Sequence, residues 1–302
     1  MPYKWIADEI ERLDPEVDYE RIWKLSTTYW VDDFQMNVLY TVGFPHFILP
    51  PHGGETVGRA GGGKIIKTKQ QRADDTLWHF WRWFEYGPSD ARTRASVDKV
   101  NKIHAAIGKK MPGNFAHNDD FVYTICWIAA DMHRLRLRVG LPGYTHNQKI
   151  SCHRMWQEMA TLFVTELGDV TDFPEDFAGM LRYLADYEAV DYEYSHEGSQ
   201  VCDALFDQFC AKWFPGPLRP LGRTMILALL DEPAHRVHRL PHVRPATRRA
   251  VELGLKLTFL LKEKVLPDPK VSTPERKRRK LSRKPGFRAP QHETVDTGPG
   301  VT

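Results

Sequence analysis

Apolar residues in this chain recur at three- and four-residue spacing in segment after segment, a period that fits one face of an α-helix. Ile6, Ile10 and Leu13 open the series and stop at Asp14-Pro15. Leu77, Phe80, Trp81 and Phe84 resume it up to Gly87-Pro88. Val97, Val100, Ile103, His104 and Ile107 then share one face, behind a cap at Ser89 or Asp90 and ahead of Gly108. A longer stretch over 118–139 carries Phe121, Ile125, Ile128, Met132 and Leu135 inside and closes at Gly140 and Pro142. Further helices are predicted near 151–167, 174–187, 199–213, 218–229 and 246–264, while the Gly- and Pro-rich stretch 43–63 reads as a loop. No alternating pattern exceeds four residues, and there is no β-α-β rhythm and no fixed repeat. The fold class is all-α, as a single globular domain over residues 1–267.

Charge divides the chain. Residues 268–302 hold nine Lys/Arg against four Asp/Glu, which leaves 33 against 35 in residues 1–267. The domain is therefore near neutral and carries no nucleic-acid footprint. The Pro- and Thr-rich basic segment after it has no hydrophobic period and reads as a disordered tail. Its run Arg276-Lys277-Arg278-Arg279-Lys280 is read as solvated charge, with an import signal or an anionic-surface contact as the alternatives. Cys126, Cys152, Cys202 and Cys210 show neither C-x-x-C pairing nor zinc spacing, and read as buried, reduced thiols of an intracellular protein. Mean hydropathy is −0.48, and the longest uncharged run, 34–54, is broken by Gln35, Asn37, His46 and three prolines, so no transmembrane helix is expected.

Two familiar skeletons are set aside. Gly58-Arg59-Ala60-Gly61-Gly62-Gly63-Lys64 has the spacing of a phosphate-binding loop, but Ile65 stands where a hydroxyl is needed and no strand leads in, so it reads as a connector. His117-Asn118-Asp119 has the H-x-D form that begins a non-haem iron triad. Its place at a helix start favours Asp119 as a charge on the helix dipole.

His104 is the candidate site residue with the most to say. Its ring should point into the core, where a histidine is either a satisfied core residue or a ligand. Arg72 and Thr76 lie one helical turn apart, hence on one face, with Phe80 and further aromatics on the next turns. A guanidinium, a hydroxyl, an imidazole and an aromatic wall suit a flat apolar cofactor with charged edges, and haem has that shape and chemistry.

Arg72-x-x-Asp75-Thr76, Asn101-x-x-His104 and Asn118-Asp119-Asp120-Phe121-Val122-Tyr123-Thr124 follow in an order and spacing that resembles the MpaB/rubber-oxygenase (latex clearing protein) family. Leu13-Asp14-Pro15-Glu16-x-Asp18 is similar to the N-terminal signature of its fungal ER-bound branch, and Trp156-x-Glu158, Phe214-Pro215-x-Pro217-Leu218 and Leu229-Leu230-Asp231 also fit. The resemblance spans roughly residues 5–265. It implies a globin-like helical core around haem b and an oxygenase that uses O2 to cleave or oxygenate a carbon–carbon double bond of an apolar isoprenoid, terpenoid or lipid-like substrate. It also makes His104 the proximal iron ligand and places Arg72, Thr76 and Phe80 around the haem, with Arg72 and Thr76 as the catalytic candidates. Two positions depart from the pattern. Asp75 stands where latex clearing protein has a lysine, and Asp131-Met132 stands where fungal relatives tend to have Glu-Pro. ER-bound relatives carry a transmembrane helix ahead of the first signature, whereas twelve residues precede Leu13 here. The expectation is a soluble branch, a chain lacking its first segment, or a protein that touches membranes peripherally through 34–51. A haem or lipid carrier or sensor without turnover, and a helical interaction protein, are the competing function classes.

Overall fold

A computed structural model describes residues 3–283. The chain enters through α1 (Ile6–Arg12) and α2 (Tyr19–Thr27), then α3 (Asp33–Phe47), α4 (Pro51–Gly58) and the single turn α5 (Lys64–Lys67). Two long helices follow, α6 (Lys69–Tyr86) and α7 (Ala91–Gly108), then α8 (Asn118–Arg138) and α9 (His146–Ala160). A two-residue-per-strand hairpin, β1 (Val164–Thr165) and β2 (Gly168–Asp169), interrupts the helices. The rest is α10 (Phe177–Ala189), α11 (His196–Trp213), α12 (Arg219–Leu229), α13 (Glu232–His238), α14 (Pro245–Leu260) with a π-helical extension Leu261–Val265, and α15 (Thr273–Ser282). The all-α, single-domain reading holds, and the four cysteines are buried and unpaired. Among the described residues no helix is long and apolar enough to cross a membrane.

One principal core joins nearly all elements, with Trp127, Trp156, Tyr40, Tyr123, Phe206 and Phe209 almost wholly removed from water. A smaller one packs Trp5, Ile6 and Ile10 of the N-terminal segment against Ile22 and Leu25 of α2. Local chemistry explains where helices begin. Asp32 and Gln35 form a reciprocal capping box at α3, Thr145 and Gln148 another at α9, and Asp90 accepts from the Arg92 N–H at α7.

Several expectations need correction. The stretch 43–63 is mostly helix, because α3 and α4 use its glycines and prolines for packing. Gly43 lets the Trp127 ring lie against the α3 backbone, where a Cβ would sit 2.5 Å from ring atom Cζ3. Pro45 lacks an N–H, yet its carbonyl is used, accepting from His238 Nε2 at 2.7 Å. The helix is buried on nearly every side (Met36, Asn37, Tyr40, Thr41 and Phe44–His46), and over 34–51 the apolar side chains face the protein interior. Around 164–169 the chain forms the hairpin instead of extending α9. On α7, Ile103 is 46% exposed, so the inward stripe is Val97, Val100 and His104. The segment after 267 is ordered as far as Arg283: Asp268 accepts from the Ile6 N–H at 2.8 Å, and α15 docks on the body. Residues 284–302 of the expected disordered tail lie outside the described residues.

The Gly58–Lys64 skeleton is a connector, as its sequence context suggested. Arg59, Ala60 and Gly61 take positive φ between α4 and α5, and no strand precedes them.

Candidate functional site

Arg72 and Thr76 stand one turn apart on α6, and the Thr76 hydroxyl donates to the Arg72 carbonyl at 3.0 Å. That bond uses the hydroxyl proton within the helix and leaves the oxygen as an acceptor toward the interior. The Arg72 guanidinium lies 5.4 Å from the centre of the Phe44 ring on α3. One turn earlier on α3, the Tyr40 hydroxyl is buried without a full hydrogen bond, facing Thr76 and Arg72. Burial pushes its pKa up to about 12, partly offset by the Arg72 charge and by Thr76. Tyr40 therefore stays a neutral phenol, with the Thr76 oxygen as its nearest acceptor.

From α7, His104 completes the group. Its ring stacks on Phe115 at 4.5 Å between centroids and meets the edge of Phe121 at 6.0 Å. Burial, and then the neighbouring Arg72 charge, lower its pKa to about 4, so the imidazole is neutral at physiological pH. Its Nδ1 is buried and unpartnered. Other buried imidazoles are engaged: His79 with Ser96 at 2.6 Å, His133 with the Tyr144 N–H at 2.8 Å, His46 with the Tyr123 hydroxyl at 3.3 Å, His235 with two carbonyls and His238 with Pro45. Among the described residues, His104 is the histidine with a buried ring nitrogen and no hydrogen bond at all. A buried polar atom left unmatched costs about 1–3 kcal/mol, which a ligand on that ring would offset.

Thus three of the four residues singled out from the sequence, Arg72, Thr76 and His104, face one region between α3, α6 and α7. Phe80 does not touch the His104 ring; it lies a turn beyond Thr76, packed on Trp83 and Phe84 in the principal core. Tyr40, Phe44 and Phe115 escaped the sequence reading. Tyr40 and Phe44 lie on a helix with no polar side to betray its inner face, and Phe115 sits in a loop. The loop is placed from outside: the Glu166 carboxylate, at the hairpin turn, accepts from the N–H groups of Gly113 at 2.8 Å and Phe115 at 3.0 Å.

The other motif residues build the frame. Asn101 donates to the Leu162 carbonyl at 2.9 Å, tying α7 to the end of α9, and Asn118 exchanges hydrogen bonds with Thr171. His117, Asn118 and Asp119 make no metal site: His117 stacks on His52, and Asp119 sits in the first turn of α8. Among the described residues no cluster of three or more His, Cys, Asp or Glu side chains could hold an ion. Asp75 points outward with its side chain 54% exposed, 3.9 Å from Lys64.

Beside this site runs a polar core. Tyr123 reaches both His46 and Glu188, Glu188 is clamped by both Arg134 nitrogens at 2.7 and 2.8 Å, and Asp231 pairs with Arg138 at 2.8 Å. Asp131, at the departure from the Glu-Pro pattern, has its carboxyl pushed up to about 7 by burial and by Asp231.

Neutral imidazole, guanidinium, phenol and aromatic rings converging between packed helices define an all-α protein with a candidate oxygenase site. Residues 57–260 match the family described as ER-bound oxygenase mpaB/B'/rubber oxygenase, catalytic domain, and the chain belongs to that family. The match includes Arg72, Thr76, His104 and the 118–124 motif, and begins after the Leu13–Asp18 signature. No curated protein sequence matches the chain significantly.

Proposed function

We propose that this chain is a haem b-dependent oxygenase with a globin-like helical core, acting with O2 on a carbon–carbon double bond of an apolar isoprenoid, terpenoid or lipid-like substrate. Family membership supports an oxygenase, and the unpartnered, neutral His104 imidazole is the observation that carries the cofactor assignment. The residues present fit the group: a ring nitrogen free to take iron, a cation for a propionate, and rings to pack the macrocycle. His104 would hold the iron, Arg72 a propionate edge, and Phe115 and Phe121 would brace the His104 ring, with Phe80 in the apolar wall behind. Haem, when bound, supplies the binding and activation of O2.

The chain's own groups do the rest. Tyr40, and Arg72 where it does not hold a propionate instead, are the donors available to stabilise negative charge developing on oxygen. Thr76, its proton committed to the Arg72 carbonyl, can only accept. The aromatic and aliphatic lining excludes water and holds an alkene without offering it a competing polar partner.

The test is a visible spectrum of protein expressed with a haem precursor, before and after reduction. A Soret band with reduced α/β bands, lost in His104→Ala at unchanged far-UV circular dichroism, is expected. Full haem content in His104→Ala overturns the ligand assignment. One observation favours the carrier or sensor alternative: Asp75 is turned to solvent, so the family's lysine position offers no group to the oxygen-binding side. Oxygen uptake by reduced protein that rises only when a terpenoid alkene is present separates turnover from storage.

A further inference from the structure

The outward face of α14 is as apolar as its inward one. Val251, Leu255 and Phe259 pack inward, while Leu253, Leu257, Leu261 and Val265 are 56%, 56%, 47% and 58% exposed. These four are spaced by four residues, so they form one ridge, about 18 Å long at the helical rise per residue. The π-helical extension at Leu261–Val265 has a wider turn, which keeps Val265 close in line with Leu261. Tyr3, itself 58% exposed, donates its hydroxyl to the Val265 carbonyl and extends the ridge with an aromatic ring. Isolated exposed leucines need no explanation, but an aligned row of large apolar side chains marks an interaction surface.

The charges around the ridge say what it meets. Arg249, one turn before Leu253, and Lys264, beside Val265, are exposed and make no ion pair among the described residues. Both acids of this segment are turned inward instead: Glu252 pairs with Arg138 at 3.4 Å, and Glu263 pairs with Arg136. The face presented to solvent is therefore apolar in the middle and cationic at its margins. A second copy docking here would bring cations onto cations. An anionic lipid surface matches both components, with side chains entering the headgroup–acyl boundary and cations meeting phosphate.

We propose that the α14 ridge with its Leu261–Val265 extension is a peripheral membrane-docking face that binds anionic bilayers. The proposal stands apart from the haem assignment, since its test reads binding and needs no cofactor. Full-length protein is sedimented with phosphatidylcholine vesicles that contain or lack phosphatidylserine. Binding to the anionic vesicles is expected, weaker on phosphatidylcholine alone and weakened by salt. Leu253→Ser/Leu257→Ser/Leu261→Ser should lower it by at least about tenfold, from the apolar area withdrawn. Because these positions are exposed, the fold should persist, which circular dichroism checks. Arg249→Glu/Lys264→Glu should remove the preference for anionic lipid. Wild-type protein that ignores both vesicles, or a triple serine variant that binds as tightly as wild type, overturns the assignment. So does a wild-type dimer, seen by sedimentation velocity, that the triple variant converts to monomer without any lipid effect; that result gives the face to a second copy.

Discussion

Glu166 touches none of the residues proposed to hold haem, yet it sets where Phe115 lies. Its carboxylate gathers two backbone N–H groups of the 113–115 loop, and its own N–H donates to the Phe115 carbonyl at 2.9 Å. Hydrogen bonds to a charged acceptor contribute about 1.5–3 kcal/mol at best and less at the exposed position Glu166 occupies. Glu166→Ala should therefore release Phe115 from the His104 ring and weaken haem affinity several-fold in a spectroscopic titration, with Glu166→Gln intermediate. Unchanged affinity in Glu166→Ala would show that Phe115 is held by packing alone. Buried histidines other than His104 give a pH prediction. Burial lowers His46 to about 3 and His79 to about 4 from the ordinary 6.5. Between pH 6.5 and 4 the unfolded chain thus binds more protons than the folded one, and stability falls as pH falls. Asp131 acts in the opposite sense: its folded-state pKa of about 7 means that stability falls as pH rises from 4 to 7. Two deeply buried imidazoles, joined by His133, His235 and His238 shifted the same way, outweigh one carboxyl. The melting temperature of haem-free protein should fall steadily below pH 6.5, with a shallower slope in His46→Gln. A melting temperature that rises on acidification would give Asp131 the larger share.

At the scale of elements, the legible helices were those with two distinct faces. α6, α7 and α8 each present an apolar stripe against a charged side, and their Gly and Pro stops fall where the helices end. α3 defeated the same logic because it is covered almost all round and has no polar side to set a period. Its glycine and proline read as breakers, although Gly43 serves contact with Trp127. The same difference made the site half visible: Arg72, Thr76 and His104 lie on readable helices, whereas Tyr40 and Phe44 come from α3. Close helix approach also makes glycines unequal. An alanine at Gly54 would place its methyl 2.7 Å from the Gly198 nitrogen and 2.8 Å from its Cα, backbone atoms that cannot turn aside, so α4 would be forced off α11. Gly254, on the exposed side of α14, has nothing within 4 Å. Both substitutions gain up to about 1 kcal/mol in helix propensity, but at Gly54 an overpacking cost of about 1–3 kcal/mol opposes it. Denaturant melts should show Gly54→Ala destabilised and Gly254→Ala slightly stabilised. Equal effects at the two sites would mean that α4 can shift freely.

For the whole molecule, the question is what the basic segment after residue 267 does. Composition made it look like solvated charge because its partners lie far away in sequence. Asp268 takes the Ile6 N–H and pairs with Lys4, the Thr273 N–H donates to the Thr28 carbonyl at 2.8 Å, and Lys277 pairs with Asp33. The segment thus straps α1, α2 and α3 together and ends over α6. There it meets Glu85, whose side chain is 1% exposed and whose charge is matched by Lys24 at 3.0 Å, Arg278 at 3.3 Å and the Ser272 hydroxyl at 2.9 Å. Two of those three partners belong to the strap. A buried carboxylate that loses partners costs up to about 3–5 kcal/mol when it stays dry, and less where water enters as the strap leaves. Removing residues 268–302 should therefore lower stability by roughly 2–4 kcal/mol, read by urea unfolding, and Arg278→Met in the full chain should reproduce part of the loss. Glu85→Gln adds the discriminating step, because it removes the charge that needs the strap. It should cost stability in the full chain, where Lys24 and Arg278 would lose their acceptor, and restore some in the truncated one. If Glu85→Gln destabilises both chains equally, the strap acts through its apolar and backbone contacts, and Glu85 is balanced by Lys24 alone.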